Sequence, residues 1–131
     1  MGALYTLKIV TDFASAHTLR NYPGACARLH GHNWKVEVEV NATGLDEIGM
    51  GVDFKVIKSE TKKITDRLDH YFLNDIPPFD RINPTAENIA AYLYRELSKR
   101  LNRPIHNDAT LTVRAVTLWE TERACVRYSE N

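Results

Sequence analysis

Only two cysteines, Cys26 and Cys125, occur in the 131 residues, so at most one disulfide can form and a cysteine-stapled scaffold is excluded. Long hydrophobic runs are missing as well, and no stretch approaches the length needed to span a bilayer. Charge of one sign is absent: seventeen Lys and Arg balance seventeen Asp and Glu. That excludes a nucleic-acid binder relying on a bulk basic excess, while leaving room for a local basic patch facing a small anionic substrate. Low-complexity tracts, linkers and internal repeats are absent too. The N-terminus has none of the charged, apolar and small-residue regions of a signal peptide. A reducing cytosol with both thiols free is the expectation, and Cys125 reads as a small buried hydrophobe. Met1-Gly2 with Thr6 fits a loose myristoylation pattern, and Asn41-Ala42-Thr43 a glycosylation pattern. Neither has the context it needs: no polybasic partner signal, and no secretion.

What is there suits one domain over residues 1–131, because 44% hydrophobic and 26% charged residues are ordinary for a chain with a packed core. Leu4 to Phe13 predicts a strand with Tyr5, Leu7, Ile9, Thr11 and Phe13 on one face. His30 to Ala42 alternates most cleanly: Trp34, Val36, Val38 and Val40 against Lys35, Glu37, Glu39 and Asn41. One face of that strand is buried, and the other is wet or paired across strands. Asp53 is a good N-cap for a helix reaching about Leu68, with Phe54, Ile57, Ile64 and Leu68 as its apolar stripe. Pro77-Pro78 bars helix, and a second helix starts near Asn83-Pro84-Thr85 and ends at Leu101 before Asn102 and Pro104. Leu111 to Glu120 and Ala124 to Tyr128 form a second strand pair. Two strands, two helices and two strands predict an α+β domain: a four-stranded antiparallel sheet with both helices on one face. Its two edges invite pairing with other copies of the chain.

The richest stretch for chemistry is Cys26-Ala27-Arg28-Leu29-His30-Gly31-His32. His30 and His32, two apart at a strand start, project from the same face and are placed to hold one metal ion. His17, just after the first strand, approaches them if the two strands pair as a hairpin. Three neutral imidazoles with an open fourth position describe a catalytic zinc site, whereas a structural site is closed by four ligands; the alternative is that each is a satisfied core or surface histidine. Cys26 has three readings at this point: a buried hydrophobe, a thiolate base favoured by a cation and Arg28, or a fourth zinc ligand. Asp69 beside His70 at a helix end can orient a proton-shuttling imidazole, or the two can simply be helix-terminal residues. Glu120 closes an apolar strand, as an exposed end or as an acceptor for the paired donors of a guanidine-like ring edge. Thr85 and Glu87 open the second helix, where capping and dipole complementarity are their default roles.

Taken in order, Phe13-Ala14-Ser15-Ala16-His17, Cys26-x-x-x-His30-Gly-His32, Leu68-Asp69-His70-x-x-Leu73-Asn74, Asn83-Pro84-Thr85-x-Glu87 and Glu120-Thr121 resemble the 6-pyruvoyltetrahydropterin synthase family over nearly the whole chain. Three residues between Cys26 and His30-Gly-His32 are similar to the 6-carboxytetrahydropterin synthase branch of queuosine biosynthesis. The resemblance implies a tunnelling fold whose sheets join into a barrel, assembled as a homohexamer of two stacked trimers with active sites between subunits. It implies Zn2+ on His17, His30 and His32, Cys26 as general base, and Asp69 and His70 completing a proton relay. Glu120 would anchor the pterin, and Thr85 and Glu87 would line its pocket; Arg28, which the family motif does not supply, is the expected contact for the triphosphate. The substrate implied is 7,8-dihydroneopterin triphosphate, and the products are 6-carboxy-5,6,7,8-tetrahydropterin, acetaldehyde and triphosphate. The competing expectations are 6-pyruvoyltetrahydropterin synthesis at the same zinc, and a non-catalytic zinc-binding assembly domain with Cys26 as fourth ligand.

Overall fold

The structure is a computed structural model that describes residues 2–24 and 28–131. Alternating apolar residues draw the chain into two long strands, β1 (Tyr5–His17) and β2 (His30–Ala42), antiparallel from Tyr5 opposite Ala42 to His17 opposite His30. Trp34, Val36, Val38, Val40 and Ala42 on one face of β2 are fully buried, as the alternation predicts. Strand β1 runs four residues past the expected end at Phe13. The small residues Ala14, Ser15 and Ala16 carry no apolar signal of their own, but Asn33, His32 and Gly31 of β2 supply the opposing ladder. His17 is therefore a strand residue, not a loop residue.

Helix α1 (Phe54–Thr65) begins at Asp53, whose side chain accepts the Lys55 N–H at 2.8 Å. Ile57, Ile64 and Leu68 are buried as expected, and Thr61, whose hydroxyl bonds the Ile57 carbonyl at 2.7 Å, completes the stripe. Phe54 departs from the expectation. As the first helical residue it is 51% exposed, over a hollow shared with Leu4, Tyr5 and Met50. The helix also stops short of Leu68, giving way to tighter turns in which Arg67 bonds Ile64 and Leu68 bonds Thr65. A one-turn 3-10 helix, Leu73–Asp75, precedes α2 (Ala86–Leu101), which is capped by Thr85 accepting from Asn88 N at 3.1 Å.

Beyond α2, β3 (Arg103–Pro104) is a two-residue strand that the sequence pattern did not reveal. It is followed by β4 (Thr110–Thr121) and β5 (Ala124–Tyr128). Strand β4 pairs with β2 along one edge, from Lys35 opposite Trp119 to Ala42 opposite Leu111. Its other edge is shared by β3 at one end and β5 at the other, so the sheet is four rows wide. Both helices cover the face bearing Trp34 to Ala42, where Ile57, Ile64, Ile89, Leu93, Leu97, Val116 and Leu118 make the core. The opposite face is polar and paired across strands: Lys8 to Glu37 at 3.3 Å, the Trp119 indole to Glu37, and Arg127 to Glu39 at 3.0 Å. Cys125 is exposed on the short outer strand rather than buried. Among the described residues, no helix is long and apolar enough to cross a membrane.

The outer edge of β1 is covered over its last residues only. Ala14 N–H donates to Asp69 Oδ1 at 2.9 Å, His70 N–H to the Ala14 carbonyl at 2.5 Å and Ala16 N–H to the Tyr71 carbonyl at 3.3 Å. Along the uncovered part of that strand and near it, Tyr5 and Val10 are 42% and 50% exposed. This bears out the expectation of an open edge.

Candidate metal centre

The β1–β2 ladder decides where three imidazoles go. His17 and His30 are opposite one another at its last rung, and His32 lies two residues along the same face. Their candidate ligand atoms all lie within 4.8 Å of one another. His17 is fully buried, with Nδ1 on the Pro84 carbonyl at 2.7 Å, and His30 has Nδ1 on the Arg28 carbonyl at 2.6 Å. A carbonyl accepts only, so both Nδ1 atoms carry the proton and both Nε2 atoms present lone pairs. Those two Nε2 atoms are 3.0 Å apart, and the Nε2 of His32 is buried without a hydrogen-bond partner among the described residues. Lone pairs facing each other at that distance need a shared cation or proton. Tetrahedral zinc at its usual bond length separates its nitrogen ligands by about 3.4 Å, so the residues fit the ion.

Burial holds the pKa of His17 below the ordinary imidazole value, and the neighbouring His30 and His32 add to this against the Pro84 carbonyl and Glu120. Burial also lowers His32. Both shifts favour the neutral ring, which is the ligating form. Trp34 walls the cluster from the core, with ring centroids 5.1 Å from His17 and 5.2 Å from His32.

Glu120, near the end of β4, brings Oε2 to 3.7 Å from His17 Nε2. A carboxylate is thus set against the cluster with its other oxygen able to accept donors. Asp69 Oδ1 does lie against His70 Nδ1, 3.0 Å away, although sequence adjacency alone did not require it. The Ala14 N–H, followed by His70, holds the Asp69 carboxyl below its ordinary pKa. His70 takes a left-handed backbone conformation, φ 63°, and its side chain is 81% exposed. Neither residue hydrogen-bonds to the histidine cluster among the described residues. Both His70 and His32 line an open hollow of about 490 Å³ beside β1.

The remaining expected residues are more loosely placed. Thr85 spends its hydroxyl on the helix cap, Glu87 is exposed in the first turn of α2, and Arg28 is exposed while its carbonyl serves His30. Cys26 lies outside the described residues.

Several positioning groups escaped the sequence reading. Asn74 exchanges two hydrogen bonds with the backbone of Thr18, at 2.9 and 3.0 Å, and Asn83 does the same with Arg20, at 2.8 and 2.9 Å. The Arg20 guanidinium donates to the Phe79 carbonyl at 2.7 Å and the Ile82 carbonyl at 3.1 Å. The chain leaving His17 is thereby fastened to the segment that carries Pro84. Asn74 and Asn83 stood within recognisable motifs, so their positions were legible and their partners were not. Pro84 acts through its carbonyl, which leaves no side-chain mark.

The family profile described as "6-pyruvoyl tetrahydropterin synthase" matches residues 6–131. A Synechocystis protein named 6-carboxy-5,6,7,8-tetrahydropterin synthase is 38% identical over 93 residues, 67% of this chain and 70% of its own length. A Haemophilus influenzae protein of the same name is 30% identical, covering 91% of this chain and 94% of its own. Among solved structures, 6-pyruvoyl tetrahydropterin synthase from Caenorhabditis elegans superposes with a TM-score of 0.82 at 26% identity, over 99% of this chain and 98% of that one. With a profile match over nearly its whole length and relatives this similar, the chain belongs to the 6-pyruvoyl tetrahydropterin synthase family and is an enzyme acting on pterins.

Proposed function

We propose that this chain is a zinc-dependent 6-carboxy-5,6,7,8-tetrahydropterin synthase of queuosine biosynthesis, working in the cytoplasm as a homohexamer. The observation that carries the reading is the convergence of His17, His30 and His32 with two Nδ1 atoms already committed to carbonyls. The relatives from Synechocystis and Haemophilus influenzae support the choice of product by their names. The substrate would be 7,8-dihydroneopterin triphosphate. One of its three side-chain carbons is retained as the carboxyl group and two leave as acetaldehyde, so the balance takes up one water and releases triphosphate.

His17, His30 and His32 would hold the zinc through Nε2. When bound, the ion supplies Lewis acidity toward the side-chain hydroxyls of the substrate. Cys26, by the family resemblance, takes a proton as general base. Asp69 holds the Nδ1 side of His70, leaving its Nε2 free to receive or return a proton. Because His70 is exposed on the β1 edge and unbonded to its own cluster, the relay would serve the site of an adjoining copy. Glu120 accepts the 2-amino and N3 donors of the pterin, an assignment supported by its place beside His17. Thr85 and Glu87 would line the pocket from the start of α2, and Arg28 would meet the triphosphate from the exposed loop ahead of β2.

Mass spectrometry of the products formed from dihydroneopterin triphosphate tests the reading, alongside metal analysis of variants. Acetaldehyde and 6-carboxytetrahydropterin are expected. A 6-pyruvoyl product without acetaldehyde would move the chain to the other branch. Cys26→Ala should keep its zinc and lose turnover, and His32→Ala should lose zinc. Zinc lost together with the fold in Cys26→Ala would instead make the thiol a structural ligand.

A further inference from the structure

Two of the three cluster histidines have an outer partner and one does not. His17 and His30 rest their Nδ1 atoms on the carbonyls of Pro84 and Arg28. Among the described residues His32 makes no such bond, and its Nε2 is buried with no partner there. Directly opposite His32 in the ladder, on the same face, stands Ser15, which is 6% exposed. Its Oγ is also buried, with no partner among the described residues. A buried hydroxyl without a partner costs stability, and alanine in the same place would not, so packing alone gives no reason for serine here.

We propose that Ser15 is a positioning residue for His32: with a metal ion on His32 Nε2, Ser15 Oγ accepts the His32 Nδ1–H. The inference rests on the metal-binding reading of the histidines. It gives the third imidazole the same kind of outer acceptor that the first two have, which fixes tautomer and ring orientation. Directly opposed strand residues hold their Cβ atoms about 5 Å apart, and a staggered turn of the serine hydroxyl sweeps it across the facing ring. Trp34, on the other flank of His32, cannot take the role because its indole nitrogen only donates.

The test measures zinc dissociation by chelator competition in the wild-type chain and in Ser15→Ala. Thermal unfolding of the metal-free proteins and visible absorption of the cobalt-loaded ones are measured alongside. Zinc affinity should fall by about 10- to 100-fold in the variant, with shifted cobalt bands, while the metal-free protein melts no lower than wild type. Equal zinc affinity and superposable cobalt spectra in the two proteins would overturn the role of Ser15 and leave the metal site standing. A wild-type chain that binds neither ion would overturn the metal reading and this inference together.

Discussion

Replacing Asn83 by alanine removes two hydrogen bonds at once, because its side-chain amide both accepts the Arg20 N–H at 2.8 Å and donates to the Arg20 carbonyl at 2.9 Å. Each intramolecular hydrogen bond is worth about 1 kcal/mol net, so the pair contributes roughly 2 kcal/mol. Nothing large is excavated by the change, since Asn83 is only half-buried. For a chain of this length 2 kcal/mol corresponds to a fall of about 6–10 °C in Tm, readable by calorimetry or circular dichroism. Asn83→Asp separates the two halves of the clamp. The carboxylate still accepts from the Arg20 N–H, but it faces the Arg20 carbonyl without a donor. The aspartate variant is therefore expected to melt no higher than the alanine variant. A loss below about 0.5 kcal/mol in both, or full recovery by aspartate, would refute the account of Asn83 as a two-way clamp.

Leu97→Ala, at a fully buried position of α2, should cost about 2–5 kcal/mol in urea unfolding, whereas Leu4→Ala, at a 60% exposed position, should fall within about 0.5 kcal/mol of wild type. Similar losses at both would contradict the position of the core. Glu39 accepts from the Arg127 guanidinium at 3.0 and 3.2 Å, and this interaction holds its pKa below the ordinary 4.5. Its folded pKa lies under the unfolded one, so its stabilising contribution is complete above about pH 4.5 and is lost as pH falls through the folded value. Glu39→Gln should therefore lose stability less steeply than wild type on acidification below pH 4.5, and identical slopes would refute the pairing.

The regular parts of the fold were legible because their determinants are local. The alternation in β2 marks its limits at His30 and Ala42, and the side chains of Asp53 and Thr85 mark the helix starts. Elements set by distant partners were not. The last four residues of β1 are small or polar and owe their strand form to β2, and β3 exists because Leu111 and Thr110 pair with Arg103 and Pro104. The burial expected for Phe54 failed because its place in the first turn of α1 carries it past the end of the core. Within the site, the metal-ligating residue types could be read at their spacing. What aims them could not, since Pro84 and Arg28 act through main-chain oxygens.

The histidine cluster sits beyond the hydrophobic interior rather than within it. Ile9, Val38, Ile57, Leu93 and Leu118 pack against one another, and Trp34 stands between them and the rings. An ion at that place is a guest of a finished scaffold, not its keystone. Chelation should then strip it and resupply should restore it, with the chain folded throughout.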